Sequence, residues 1–484
     1  MFKELLRQSS WYFAGYGAGV IMTLITFPLW TRHFTVEEYG ILSLIGVTIS
    51  FVTPLVKFGL HKAVLRLFSE FQSKKRALPE SSFYTTFFIG AIALGIFFGA
   101  ICIGIIVGLG PDRFGSVQTY NLFILAGLTF FISPGCSIYG PFLRVEEKAN
   151  EFVLVRFVRA VLGLTLSLVL VFVFLLGLKG IYISALLLQV CLFVYVFWSL
   201  KRQKKFVLKS FSFALLFEAI SFGLPLIGAE MANHISNIGD RFMLQFFLGT
   251  EAVGLYAVGY GLTSHLKSLL TVGMFVITPM YVKIWHAQGR EKTEQFLSTV
   301  LDYYLMAAIP GIVLFSVFGG EILVLMASTK YEQARVLMPY LAAPLALHGA
   351  ISIYTAGMFI HKKTKLILYF TASAGILNII LNYVLIPLMG ITGAAVATLV
   401  SYVFLIVLAN IFSSRFLTIR LNYHGVIKYI AASVIAVLLL QVITIEIFLG
   451  IIIKLLIGLL IYSAAMWSFD ARIRQKVKMA FDRI

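Results

Sequence analysis

The sequence predicts an all-α integral membrane protein with about fourteen transmembrane helices. Two six-helix lobes, related by a pseudo-twofold axis, would enclose a central cavity, and two further helices would follow at the C-terminus. Three observations carry this. Only 12% of the 484 residues are charged while 60% are hydrophobic, whereas soluble domains are about one quarter charged. Such a chain has no polar coat for a water-soluble globule, which excludes a cytosolic enzyme, a secreted domain and a disordered regulator. Apolar runs of the roughly 20 residues needed to cross a hydrocarbon core recur along the whole chain. The Lys and Arg residues between those runs alternate in density from one loop to the next.

In order, the runs fall at 10–31, 39–60, 83–109, 118–142, 152–177, 180–200, 214–238, 252–282, 296–319, 337–360, 366–388, 391–412, 425–445 and 448–469. The first is a retained helix rather than a signal peptide, because no small-x-small cleavage site precedes the second. The segment 212–248 is too long for one straight span and carries Glu230, Asp240 and Arg241. Residues 61–82 read as an amphipathic extension of the second span. With the N-terminus inside, 31 of the 39 Lys and Arg fall in cytoplasmic segments, which places both termini in the cytoplasm. The net charge of +18 therefore reflects topology and anionic headgroups, and no nucleic-acid partner is expected. All five tryptophans (Trp11, Trp30, Trp198, Trp285 and Trp467) sit at expected span ends, as an interfacial belt requires. Cys102, Cys136 and Cys191 form no CxxC pair and read as small core residues.

No connection is long enough to hold a soluble domain, and no GxxxxGK[ST] nucleotide loop occurs. A membrane glycosyl ligase or polymerase would need a large external loop, and the chain has none. Three landmarks recur in order. Glu38-Tyr39-Gly40-Ile41-Leu42 resembles Ala252-Val253-Gly254-Leu255-Tyr256 at an offset of 214. Phe142-Leu143-Arg144 resembles Phe359-Ile360-His361 at 217, and Lys179-Gly180-Ile181 resembles Met389-Gly390-Ile391 at 210. Six spans are thus repeated the same way up. The expected organisation is an N-lobe at 1–205, a C-lobe at 206–415, and spans thirteen and fourteen with a basic tail at 416–484.

Two stretches resemble a known family. Thr31-Arg32-His33-Phe34-Thr35-Val36-Glu37-Glu38-Tyr39-Gly40 looks like the Arg-x-Leu to Glu-Tyr-Gly signature of bacterial polysaccharide exporters. Phe222-Gly223-Leu224-Pro225, Gly239-Asp240-Arg241-Phe242 and Val253-Gly254-Leu255-Tyr256 resemble the same family's G-x-P, D-R and V-G-x-Y run. The resemblance implies the multidrug/oligosaccharidyl-lipid/polysaccharide exporter superfamily. It further implies a non-enzymatic flippase in the bacterial inner membrane that moves undecaprenyl-diphosphate-linked sugar repeat units by alternating access, for O-antigen, capsule or exopolysaccharide. The partners it implies are the polyprenyl-diphosphate-linked glycan, membrane lipids, and polysaccharide polymerase and chain-length proteins. A peptidoglycan-precursor flippase and a cation-coupled multidrug antiporter of the same superfamily are the alternatives.

A diphosphate head needs cations and an ionisable group in a span needs a polar surround. Ser43, Gly46, Ser50, Thr53 and Lys57 form one stripe on the second span, and Tyr256, Tyr260, Ser264, Lys267 and Thr271 form another on the eighth. Lys57 and Lys267 are therefore expected to bind the diphosphate from opposite sides of the cavity, against the plainer readings of a snorkelling helix end and a structural ion pair. Arg144, Arg156 and Arg159 would gather it at the inner mouth, or serve only as positive-inside residues. Arg32 would close an external gate or make a structural ion pair. Glu230, His234, Asp240 and Arg241 share the seventh span and suggest a proton or sodium relay, with Glu230 as coupling carboxylate and Asp302 as a second candidate. Pro28 and Pro225 are the expected hinges. No ordered cofactor and no metal-ligand set is expected.

Overall fold

A computed structural model of the chain describes residues 22–72, 79–271, 274–441 and 448–469. All elements among the described residues are helical. Positions 10–21 of the expected first span and the tail from 470 onward lie outside the described residues. Nine described helices are long and apolar enough to cross a membrane, and a tenth span results where Val117–Phe131 and Ser133–Val145 are bent by 53°. Pro134 opens the second limb of that pair, where its missing N–H costs nothing to the helix it starts.

Two boundaries differ from expectation. Phe213–Leu248 is one helix of 36 residues, about 54 Å long, so it runs well past the expected end at 238. The expected eighth span, 252–282, is instead the helix Thr250–Thr271 followed by a second helix, Met274–Ala327, whose course breaks at Gly289 (φ 77). Only glycine takes that backbone without steric cost.

The described residues divide into two compact units, 22–26 with Ile41–Ile238 and Phe27–Gly40 with Gly239–Ile484. The first is built on aromatics, with Phe83, Tyr84, Phe87 and Phe88 packed against Phe142 and Phe152. The extension after the second span is the helix Leu60–Gln72. Its Leu60, Ala63, Val64, Leu67 and Phe68 are buried at the three-and-four spacing of one helical face. Phe58 and Gly59 (φ 46 and 69) separate it from Val36–Lys57, and a Cβ on Gly59 would lie 2.5 Å from Gly223 Cα. The glycine of the G-x-P run is thus explained by backbone meeting backbone.

At the helix connection in this unit, Glu146 accepts from Lys148 at 2.8 Å and Lys205 at 2.6 Å. Burial pushes the Glu146 carboxyl up, but the two ammonium groups outweigh it and hold it below its ordinary 4.5. A carboxylate with a depressed folded pKa stabilises the fold above the unfolded value and loses that contribution as pH falls through the folded one. The melting temperature of the wild type should therefore fall more steeply below pH 4.5 than that of Glu146→Gln; parallel curves would show that this cluster contributes nothing.

In the second unit the stretch 27–40 is tied down at both ends. Thr35 and Glu38 form a reciprocal N-terminal cap, Thr35 N donating to Glu38 Oε2 at 2.9 Å and Glu38 N to Thr35 Oγ1 at 3.1 Å. Further along, Gly40 sits so close to Thr250 that an added Cβ would be 2.1 Å from its carbonyl oxygen. Gly254 sits likewise against Val36, at 2.0 Å. Residues 36 and 250, and 40 and 254, are separated by 214 positions, so this crossing is itself two-fold. Spans thirteen and fourteen, Tyr423–Gln441 and Phe448–Phe469, pack on Met274–Ala327, where the Tyr462 hydroxyl donates to the Met306 carbonyl at 2.7 Å.

The backbone corrects the register of the other two landmarks. Glu147 and Lys362 both have φ 58, and Lys148 N to Leu143 O matches Lys363 N to Met358 O at 2.8 Å each, an offset of 215 rather than 217. Gly177 (φ 55, ψ −139) and Gly390 (φ 63, ψ −141) are matching helix N-caps, an offset of 213 rather than 210. The repeat preserves where the chain must turn, and side-chain identity between Gly180 and Gly390 was a misleading guide to it.

Candidate transport site

The strongest concentration of polar groups in an apolar setting lies in the second unit, around Asp240 and Arg241. Both are buried, at 4% and 8% exposure, in the part of Phe213–Leu248 that continues beyond the expected span end. Asp240 Oδ1 accepts from the Arg241 backbone N–H at 2.9 Å. The neighbouring guanidinium supplies the counter-charge that a buried carboxylate requires.

Tyrosines from other helices complete the surround. Arg241 Cζ lies 4.6 Å from the centre of the Tyr260 ring, a cation–π contact, and Tyr260 stacks on Tyr256 at 6.2 Å between centroids. The fully buried Tyr256 hydroxyl adjoins the Asp240 carboxylate and meets Thr398 Oγ1 at 3.4 Å. Tyr39 lies close enough to feel the Arg241 charge, and Tyr402 close enough to feel that of Asp240. His348 faces the Tyr402 ring at 6.5 Å. The Gly239 backbone lies beside Ile379, on the helix stretch where Asn382 donates to Asn378 at 2.9 Å. A carboxylate, hydroxyls and an arginine gathered in a membrane interior can hold a small cation or pass a proton.

Neither Asp240 nor Arg241 caps a helix end, since the helix continues to Leu248 and both side chains are inside. Glu230, His234 and Pro225 belong to the same helix, and Lys267 belongs to Thr250–Thr271, but their side chains lie outside the described residues. Thr398 and Tyr402 were missed in the sequence. Their signal was present: two hydrogen-bonding residues four apart in Ile391–Ser413, just after Gly393-Ala394-Ala395.

The other predicted residues are dispersed. Lys57 is half-buried in the last turn of Val36–Lys57. Arg144 and Arg156 share one aromatic partner, their Cζ atoms 4.7 and 5.5 Å from the Phe152 ring, while Arg159 is exposed one turn on. Arg32 donates to the carbonyls of Met326 at 3.3 Å and Leu325 at 2.6 Å, and Lys330 donates back to those of Arg32, at 3.0 Å, and Phe34. Arg32 thus binds carbonyls at the C-terminal end of Met274–Ala327, and Lys330, in the Thr329–Leu337 turn that follows, binds carbonyls where the helix 22–33 ends, so Arg32 makes a clasp rather than an ion pair with Glu37 or Glu38. Asp302 Oδ1 accepts from Asn422 and Tyr429, both at 2.9 Å, joining the ninth span to the thirteenth. Pro28 lies in the helix 22–33, with Thr31 Oγ1 donating to its carbonyl at 3.4 Å. Of the cysteines, Cys136 is buried as expected and Cys191 is exposed.

Residues 5–285 match the family described as polysaccharide biosynthesis protein. The chain is 23% identical over 428 residues to a probable low-salt glycan biosynthesis flippase of Haloferax volcanii, covering 87% of this chain and 86% of that one. It is 20% identical to the Lsg locus putative protein 1 of Haemophilus influenzae over 75% of this chain and 87% of that one. Among solved structures, the lipid II flippase MurJ in an inward closed conformation superposes with a TM-score of 0.75 at 16% identity, over 96% of this chain and 98% of that one. An inward-facing multidrug resistance transporter of the MATE family, itself of the MOP superfamily, gives 0.66 at 15%, over 82% and 94%. These likenesses establish a shared fold.

Proposed function

The chain belongs to the polysaccharide biosynthesis protein family, and from that premise we propose that it is a member of the multidrug/oligosaccharidyl-lipid/polysaccharide exporter superfamily that flips polyprenyl-diphosphate-linked oligosaccharides across the membrane by alternating access. The family match through residues 5–285 carries the reading. A relative named as a glycan biosynthesis flippase supports it along most of both chains, and favours a transporter over an enzyme. The substrate proposed is an undecaprenyl-diphosphate-linked repeat unit of a surface polysaccharide in the bacterial inner membrane, with Lys57, Lys267, Arg144, Arg156 and Arg159 meeting its diphosphate. Polymerase and chain-length proteins would take over the flipped unit.

Coupling to a proton or sodium ion is assigned here to Asp240. Its burial beside Tyr256 and Thr398 supports that role better than the half-buried position of Asp302, whose Oδ1 is engaged by Asn422 and Tyr429. A membrane interior makes a permanently charged group costly, so a carboxylate that a cation can neutralise offers two states of different stability.

The test is accumulation of lipid-linked oligosaccharide on the inner leaflet of a producing cell after deletion of the gene. Wild type should clear it, while Lys57→Ala and Lys267→Ala at equal protein level should leave most of it in place. Accumulation cleared by both variants would retain the flippase and remove the lysine site. A build-up of peptidoglycan precursor, or a change in drug resistance alone, would replace the reading with one of its two alternatives.

A further inference from the structure

The turn between the fifth and sixth spans and the turn between the eleventh and twelfth are repeat partners, each ending on a glycine, Gly177 and Gly390, of matching backbone conformation. Both are apolar where a turn in water would be polar. Residues 173–176 read Val-Phe-Leu-Leu and residues 385–389 read Leu-Ile-Pro-Leu-Met, and no Asp, Glu, Lys or Arg occurs from 160 to 178 or from 366 to 414. Val173, Phe174, Leu175 and Leu176 are all exposed, Leu175 at 79%, and so are Leu388, at 76%, and Met389. In water these side chains would stay hydrated, and none of their transfer free energy would be gained.

Helix length decides where the two tips lie. The sixth span, Leu178–Arg202, has 25 residues and ends on Lys201 and Arg202, so it reaches about 38 Å from that basic end. The twelfth, Ile391–Ser413, has 23 residues, about 35 Å, and Arg415 follows it. A bilayer with its headgroups is about 40–45 Å thick. Held in one headgroup layer by its cations, neither helix reaches the far surface, and any tilt shortens its reach further. The third span is different: Glu80–Leu109 has 30 residues, about 45 Å, and leads to exposed Asp112 and Arg113. Two local features agree. Leu175 has φ 52, a left-handed conformation that Gly or Asn adopts at less cost, so apolar surroundings account for a leucine there. The turn N–H groups also point back into the chain, as hydrocarbon demands: Phe174 N donates to Val169 O and Leu176 N to Leu170 O, both at 3.1 Å, and Gly390 N to Ile386 O at 2.9 Å.

We propose that both turns are buried among the phospholipid acyl chains of the leaflet opposite the basic helix ends, so that lipid, and neither water nor a partner protein, covers residues 173–176 and 388–389. Lys179 is exposed just beyond the first turn, and its long side chain reaches up to the phosphates from there. Spans shorter than the bilayer draw the leaflet inward, so the membrane is thinned at two places related by the repeat. The inference rests on membrane insertion alone and is independent of the substrate carried.

The experiment uses the full chain in phospholipid vesicles, with Cys102, Cys136 and Cys191 replaced by alanine and a nitroxide attached to Leu175→Cys, Leu388→Cys or Asp112→Cys. Collisions with oxygen, which partitions into the acyl layer, are compared with collisions with a water-soluble nickel chelate. The labels at 175 and 388 should meet oxygen freely and the chelate at least about fivefold less often than the label at 112, which lies on the turn long enough to reach water. Chelate collisions at either turn as frequent as at 112 place that turn in water and overturn the proposal. Low collision rates with both reagents mean that protein covers the turn, and overturn it equally. A label-free arm uses Leu175→Asn in the otherwise unchanged chain. Asparagine suits the backbone better, so its melting temperature in vesicles should rise if the turn is in water and fall if the turn is in lipid; an unchanged or raised value overturns the proposal.

Discussion

Asp240→Asn is expected to lower flipping at least tenfold while leaving the protein folded, and Arg241→Met is expected to destabilise it by about 3–5 kcal/mol. The asymmetry follows from charge. Both groups are buried, so removing the guanidinium takes from the carboxylate the counter-charge beside it, whereas replacing the carboxylate by an isosteric amide leaves a cation that still rests on the Tyr260 ring at 4.6 Å. The double variant Asp240→Asn/Arg241→Met removes both charges and should recover most of the stability lost by Arg241→Met, but not transport. Stability is read as the melting temperature in detergent, and transport as clearance of lipid-linked oligosaccharide. Normal clearance by Asp240→Asn would end the coupling assignment, and a stable Arg241→Met would show that charge compensation does not hold the cluster together.

The second large effect is expected at the glycine crossing. Gly254→Ala places a carbon 2.0 Å from the Val36 carbonyl oxygen and Gly40→Ala places one 2.1 Å from that of Thr250. The obstructing atoms are backbone, so no side-chain rotation relieves them and the two helix starts must separate. Each change should cost about 3 kcal/mol, the upper end for overpacking. Because one separation accommodates both methyl groups, the double variant should lose clearly less than the sum, giving a coupling term in a double-mutant cycle. Gly46→Ala is the control. It lies in the same helix with open space around its Cβ, and should be neutral or stabilising by up to about 1 kcal/mol through helix propensity. Additive losses at 40 and 254 would mean that the two glycines act separately.

Some of the site could be read from residues alone. The polar face of the seventh span drew attention to Asp240, and Tyr256 and Tyr260 stood out by spacing; the structure puts these three and Arg241 together. Arg32 was legible as special but not in its role, because its partners are carbonyl oxygens of Leu325 and Met326, and backbone acceptors carry no sequence signature. Asp302 stood out as an intramembrane acid, yet its tie to Asn422 and Tyr429 depends on a helix beyond the repeat. Thr398 and Tyr402 were overlooked since an isolated hydroxyl in an apolar helix is indistinguishable from a packing residue until its neighbour is known.

The linear order of residues by itself determined the solvent, the helical class, the amphipathic Leu60–Gln72 extension and the presence of an internal repeat. Each of these depends on composition or on periodicity within one segment, where a bilayer forces every backbone group to be satisfied within its own helix. Only the tertiary structure decided why Gly40 and Gly254 are glycines, that Arg32 and Lys330 clasp backbone carbonyls across the chain, and which polar residues enclose Asp240. Those facts depend on distances between segments hundreds of residues apart, and such distances are set by packing between helices rather than by any pattern along one of them.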